Sequence, residues 1–350
     1  MKRPAGRLVA AVLALALLCA PALTLTGCRN QPQYFTASWF DVFDTVTMVQ
    51  GYAASQAEWD RQTEALHQDL LRYHRLFDIY NSYEDGTPNL CDVNRTAGQT
   101  PTAVSGELFD FLTFARSMYD RTDGACNIAA GAVLRLWHNA REMDTPVPPA
   151  DADLQAAAAH ISIDSLVLDE TERTVFFADP AMTLDVGAIG KGYATEMAAR
   201  AAKERGLPCA LLNVGGNVRA IGAKPDGSRW TAGVENPRGA EPAYLAAVEL
   251  SDGDSLVISG DYLRYFEYEG VRYHHLIDLT TLQPARYAVS TAIRTAQGSG
   301  VADALSTGVF CLPRDRGRAL VEAEPHTEAM WVSGDGSVSA TAGFDADLLP

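Results

Sequence analysis

The chain has 350 residues, 47% of them hydrophobic and 21% charged, which is ample apolar content for a large core and, by length, allows about two domains. Its formal net charge is −16, and so acidic a surface argues against nucleic acid as a partner. It does not exclude an anionic nucleotide, because one lysine, helix amides and a metal can reverse the sign at a single site.

Lys2, Arg3 and Arg7 precede an apolar run from Leu8 to Leu18, so residues 1–27 read as a secretion signal. The run is short of the about 20 apolar residues that a membrane span needs. Leu25-Thr26-Gly27-Cys28 resembles the lipobox of bacterial lipoproteins, which implies that Cys28 is lipidated and the mature chain is extracytoplasmic, anchored to the membrane. Loss of the leader removes three basic and no acidic residues, taking the charge from −16 to −19. Cys91, Cys126, Cys209 and Cys311 then lie where disulfides are permitted; they show no metal-binding spacing, and the sequence leaves their pairing open.

Residues 28–37 read as a lipidated polar tether, and residues 38–350 as one domain. Trp39 to Tyr52 alternates as a first strand or hairpin. A helix follows: Ser55 and Glu58 form a capping box, and Trp59, Leu66, Leu70, Tyr73 and Phe77 make one apolar face. Turn residues from Asn81 to Gly86 end it. A second amphipathic helix runs from Gly106 to Tyr119, and the proline-rich stretch Thr145 to Ala150 reads as a loop. An alanine-rich helix begins near Leu154, and strands follow at Ser165–Leu168 and Thr174–Ala178. Next come a helix from Ile189 to Arg205, closed by Gly206 and Pro208, and a buried strand at Ala210–Val214. Beyond it, strands at Leu256–Ser259, Val271–Ile277 and Val289–Thr295 precede a helix from Val301 to Cys311. Mixed helices and antiparallel strands, without regular βαβ alternation, predict an α+β fold.

Three stretches carry the chemistry. Between Asp185 and Ala194 a strand end, a glycine turn and a helix start bearing Lys191 can offer amides and a cation to a phosphate. The segment is not a Walker A loop, because Asp185 stands where the first glycine belongs and Gly192 where Ser or Thr belongs. Asp303 and Thr307, four apart on a helix, turn two hard oxygens to one side, a pair suited to Mg²⁺. His275 can carry a proton, and in an alternating strand His274 points the other way. Each feature alone has an ordinary structural explanation.

Their order changes the reading. The Asp185–Ala194 segment, Leu212–Asn217, Gly233–Pro237, Ser259–Tyr262, His274–Asp278 and Ala302–Thr307, with Leu90–Asn94 and Thr122–Ile128 upstream, together resemble the ApbE family of FAD:protein FMN transferases across about residues 40 to 345. The resemblance implies a single compact α+β domain related to the T-fold, with largely antiparallel sheets and packed helices. It implies FAD contacts at Tyr80, Ala125, Cys126, Asn127, Asp185, Lys191 and Leu276. Mg²⁺ is implied at the Ala188 carbonyl, Asp303 and Thr307, with His275 catalytic. Three family elements differ here: Ala125-Cys126-Asn127 stands for Ala-Phe-Asp, Phe43-Asp44-Thr45 for Met-Gly-Thr, and Asp278 to Leu282 for Asp-Pro-x-Thr-Gly.

The implied reaction is Mg²⁺-dependent transfer of FMN from FAD to a Thr or Ser hydroxyl, with AMP leaving. The implied acceptors are flavin-carrying subunits of membrane redox complexes or extracellular electron-transfer proteins. Two alternatives use the same residues: an FAD pyrophosphatase, which gives FMN and AMP with water as acceptor, and a flavin-binding lipoprotein without catalysis.

Overall fold

The computed structural model describes residues 31–84, 86–239, 241–345 and 347–349. The expected leader, residues 1–27, and Cys28 lie outside the described residues. The chain opens with strands β1 (Gln33–Val42) and β2 (Thr45–Ala53), followed by helices α1 (Gln56–Phe77) and α2 (Leu90–Thr96). After the short β3 (Thr102–Ala103) come α3 (Gly106–Arg121), α4 (Gly131–Arg141), α5 (Asp151–Ala158), β4 (Leu166–Asp169), β5 (Thr174–Phe177) and α6 (Gly190–Glu204). Nine strands follow: β6 (Cys209–Val214), β7 (Asn217–Ile221), β8 (Trp230–Glu235), β9 (Tyr244–Leu250), β10 (Ser255–Gly260), β11 (Tyr265–Tyr268), β12 (Val271–His274), β13 (Ile277–Asp278) and β14 (Gln283–Pro284). The chain closes with β15 (Ser290–Thr295), α7 (Ser299–Phe310), α8 (Arg314–Ala323), β16 (Thr327–Val332), β17 (Val338–Ala340) and α9 (Ala342–Asp345).

Eight strands form one sheet in the order β1-β2-β6-β7-β10-β15-β16-β17, with every neighbouring pair antiparallel. Successive side chains of a strand point to opposite faces, and here both faces are buried. Leu212, Val257, Ile293 and Trp331 join the core that includes α1, α6 and α7, whereas their neighbours Leu211, Leu256, Ala292 and Met330 join a second core beneath the β8–β9 hairpin and Phe344 of α9. This is the expected α+β arrangement. Among the described residues no helix is long and apolar enough to cross a membrane.

Helix α1 buries Trp59, Leu66, Leu70, Tyr73 and Phe77, the face expected. Its cap is looser than a full box: Ser55 Oγ accepts from the Glu58 N–H, but Glu58 reaches the N–H of Ala54 and not that of Ser55. The expected tether is shorter than residues 28–37. β1 starts at Gln33, and residues 33–37 pair with Val49–Ala53 of β2. As an outer strand with mostly exposed side chains, this segment has the polar composition of a linker while its backbone is held by the ladder. The expected strand Val271–Ile277 is also interrupted, with β12 ending at His274 and β13 starting at Ile277.

Candidate functional site

The site forms where the N-terminal turn of α6 meets α7. Asn94 of α2 holds the approach to α6: its Oδ1 accepts from the Leu184 N–H at 2.7 Å and its Nδ2 donates to the Leu184 carbonyl at 3.0 Å. Asp185 then accepts the Gly187 N–H at 2.9 Å, and Val186 O takes the N–H groups of Ile189 and Gly190 as the helix begins. No side chain caps α6. Instead Asp303, from α7, accepts the Gly192 N–H through Oδ2 at 2.7 Å, with Lys191 Nζ at 3.9 Å from the same oxygen. A carboxylate at a helix N-terminus is favoured by the unpaired amides and the macrodipole. Thr307, one turn on, has its hydroxyl 3.4 Å from the Ala188 carbonyl.

α7 is buried all round, and polar ties set its rotation. Ser306 Oγ meets Ser259 Oγ of β10 at 2.8 Å, and Thr291 Oγ1 of β15 donates to the Ser306 carbonyl at 2.9 Å. Asp303 and Thr307 consequently face α6. The approach of the two helices depends on Gly192, where a Cβ would overlap Asp303 Cβ and the Ser299 carbonyl. We expect Gly192→Ala to cost about 2–3 kcal/mol, the upper range for overpacking against backbone that cannot yield, read as a lowered urea midpoint at unchanged m. A variant as stable as the parent would mean that the contact relaxes freely.

Asp303 is only 3% exposed, and burial pushes its carboxyl above the ordinary value, opposed mainly by Lys191 and the Gly192 amide. This is a buried carboxylate short of positive charge, with a hydroxyl and a carbonyl oxygen beside it. Among the described residues no group of three His, Cys, Asp or Glu side chains forms a metal site. The available set is one carboxylate, Thr307 Oγ1 and Ala188 O, hard donors that fit Mg²⁺, which keeps waters or phosphate oxygens in its other positions.

His275 sits in the break between β12 and β13. Its N–H donates to the Arg264 carbonyl at 3.1 Å, while its buried Nδ1 has no partner among the described residues. Burial, then the charges of Arg264 and Lys191 among its neighbours, lower its pKa to about 3, so the ring is neutral at neutral pH. His274 does not simply point away as a spare side chain. It is buried, with Nε2 2.9 Å from the Ala285 carbonyl and Nδ1 accepting from the Leu276 N–H at 3.2 Å, its ring edge-on to Phe310. Those two bonds assign the neutral Nε2–H tautomer. The His274 imidazole therefore replaces a strand partner for Leu276 and shapes the bend that presents His275.

The remaining expected flavin residues are placed unequally. Tyr80 is 62% exposed on a loop held by Asp78, whose carboxylate accepts the Tyr80 and Asn81 N–H groups and the Tyr83 hydroxyl. Its ring lies 5.3 Å from that of His138, and Asp185 is among the charges acting on its phenol. Asp185 itself is half-buried, and burial raises its pKa against the Gly187 amide, His138 and Arg264. Leu276 follows His275 and is buried in the main core. Ala125 is half-buried in the turn after α3. The side chains of Cys126 and Asn127 turn inward. The Cys126 thiol is in the core, its pKa pushed up to about 12 by burial and by Asp303. Asn127 spends its amide on the Ile161 carbonyl and the Ala129 N–H. What this turn can offer a ligand is its backbone. All four described cysteines are free thiols.

Sequence reasoning did not reach α4, which supplies His138 and Arg141 beneath Tyr80, with Arg141 Nη2 2.9 Å from His138 Nδ1. Val133, Trp137 and Ala140 are its buried face, spaced three and four residues apart, and that was the available signal. Arg264 was also missed.

Comparison with known proteins points to one family. The ApbE family profile matches residues 43–331. A FAD:protein FMN transferase of Klebsiella pneumoniae is 31% identical over 265 residues, covering 74% of this chain and 81% of the relative. One of Treponema pallidum is 33% identical over 267 residues, 73% of each. The crystal structure of the ApbE protein of Thermotoga maritima superposes with a TM-score of 0.80 at 26% identity, over 91% of this chain and all of that one. With the fold, the ordered motifs and the family profile in agreement over most of its length, the chain belongs to the ApbE family.

Proposed function

We propose that this chain transfers FMN from FAD to a threonine or serine hydroxyl of an acceptor protein, releasing AMP. The reading is carried by one observation: at the start of α6 a lysine faces a buried carboxylate and its charge acts on a neutral imidazole, in a chain whose relatives are named FAD:protein FMN transferases.

In this reaction the acceptor oxygen attacks the FMN-side phosphorus, the bridging bond to the AMP phosphate breaks, and the hydroxyl proton passes to His275. An imidazole held neutral can accept that proton. Its low basicity in the free protein comes from burial and from nearby cations, and an arriving diphosphate offsets those cations and raises it. Lys191 and the positive end of the α6 dipole oppose the charge that gathers on the leaving phosphate. Asp303, Thr307 and the Ala188 carbonyl would hold Mg²⁺, which when bound supplies Lewis-acid neutralisation of the diphosphate. Asp185 and Tyr80 border the flavin side. The test is AMP release from FAD that depends on an acceptor hydroxyl.

The acceptors we propose are flavin-carrying subunits of membrane redox complexes or extracellular electron-transfer proteins, reached from an extracytoplasmic position with Cys28 as the lipid anchor. Cys28→Ala is expected to move the protein from the membrane to the soluble fraction with transfer activity intact. Retention in the membrane pellet would point to an uncleaved apolar leader as the anchor.

A further inference from the structure

Of the cations whose charge acts on the site, three are already engaged. Lys191 faces Asp303, Arg135 donates to Thr183 Oγ1, and Arg141 is held by His138 and Glu142. Arg264 is different. It is exposed, and among the described residues its guanidinium has no hydrogen bond or ion pair, although its carbonyl accepts the His275 N–H. That bond lies one step beyond the last β11–β12 ladder pair, Tyr265 with His274, so Arg264 stands opposite His275. Opposed residues of an antiparallel pair project from the same face. The guanidinium is therefore on the His275 side of the ribbon, and its charge acts on Asp185, His275 and Asp303 together. A planar five-donor group left unpaired, with its charge acting on two carboxylates and an imidazole, suits a ligand oxyanion bound in bidentate fashion.

We propose that Arg264 is a phosphate-binding residue of this site, holding the diphosphate of the bound dinucleotide together with Lys191. The inference rests on the proposed FAD reading and adds to it a residue that the motifs did not indicate. Lys191 is fixed at the helix end, whereas Arg264 comes from a hairpin bend, so the two cations approach the diphosphate from separate elements.

FAD binding by the full chain is to be measured by flavin fluorescence in EDTA, for the parent, Arg264→Ala and Arg264→Lys, with inorganic pyrophosphate as competitor and urea midpoints in parallel. Loss of a charge-assisted bidentate contact, about 1.5–3 kcal/mol, corresponds to about 10- to 100-fold weaker FAD binding in Arg264→Ala. The pyrophosphate inhibition constant should rise by a similar factor, Arg264→Lys should recover part of the loss, and the urea midpoints should not change. Unchanged FAD affinity in Arg264→Ala would overturn the proposal. So would a loss accompanied by a lower urea midpoint, which marks a structural role, or a loss of FAD affinity with pyrophosphate competition unaltered, which places Arg264 on the flavin or adenine. A parent that binds no FAD would overturn both this proposal and the FAD reading, whereas a parent that binds FAD with unchanged Arg264→Ala affinity would overturn this proposal alone.

Discussion

His275→Ala is expected to lower the single-turnover rate of FMN transfer by roughly 10²-fold or more, the scale of losing a general base, while FAD affinity stays near that of the parent. The imidazole is needed when the hydroxyl gives up its proton, whereas ground-state binding draws on the flavin contacts, the start of α6 and the cations. The structure also alters what the neighbouring histidine can test. His274 makes two buried hydrogen bonds, so His274→Ala leaves the Ala285 carbonyl and the Leu276 N–H unpaired and should cost about 2–4 kcal/mol of stability. His275, whose Nδ1 has no partner, should show little loss of stability on truncation. The two variants are thus expected to separate: His275→Ala stable and slow, His274→Ala unstable. Transfer rates, FAD affinities and urea midpoints at matched Mg²⁺ would show it. An undiminished rate in His275→Ala would remove the general-base role.

Asp303→Asn is expected to abolish measurable turnover while leaving the protein folded. The change keeps the shape of the side chain and removes the charge. A buried carboxylate whose nearest cation is 3.9 Å away is costly to keep ionised, so an amide in its place should be neutral or mildly favourable for stability. Catalysis should respond in the opposite direction. Several kcal/mol of diphosphate charge stabilisation would be lost with the metal, about 10³-fold or more in rate. Chelation of divalent metal from the parent should reproduce the loss. Turnover that persisted in EDTA would contradict the assignment of Asp303 and Thr307 to a metal.

Elements whose apolar faces repeat at helical spacing were legible from sequence, and α1 and α6 appear where expected. α4 escaped because its N-cap is Ala130, which offers no side-chain cap, so the usual start signal is missing. The break at His275 was invisible for another reason: the Leu276 N–H donates to the His274 imidazole and not to a neighbouring strand, and residue alternation carries no trace of that. Residues 33–37 looked like a linker because an outer strand with few buried side chains has linker composition. For the site, the order of the motifs brought Asp185, Lys191, His275, Asp303 and Thr307 into view although none stands out alone. The inward turn of Cys126 and Asn127 depends on packing against α3 and on the Ile161 carbonyl, contacts distant from any local pattern. Arg264 joins the site only through hairpin register.

The central claim is group transfer to a protein hydroxyl, and intact mass of a candidate acceptor protein, incubated with this chain, FAD and Mg²⁺, tests it most directly. The account predicts an acceptor heavier by one FMN less water, AMP formed in equal amount, and neither product when the acceptor threonine or serine is replaced by alanine. AMP and free FMN accumulating at the same rate with or without acceptor, while acceptor mass stays unchanged, would contradict it and identify hydrolysis of FAD as the reaction.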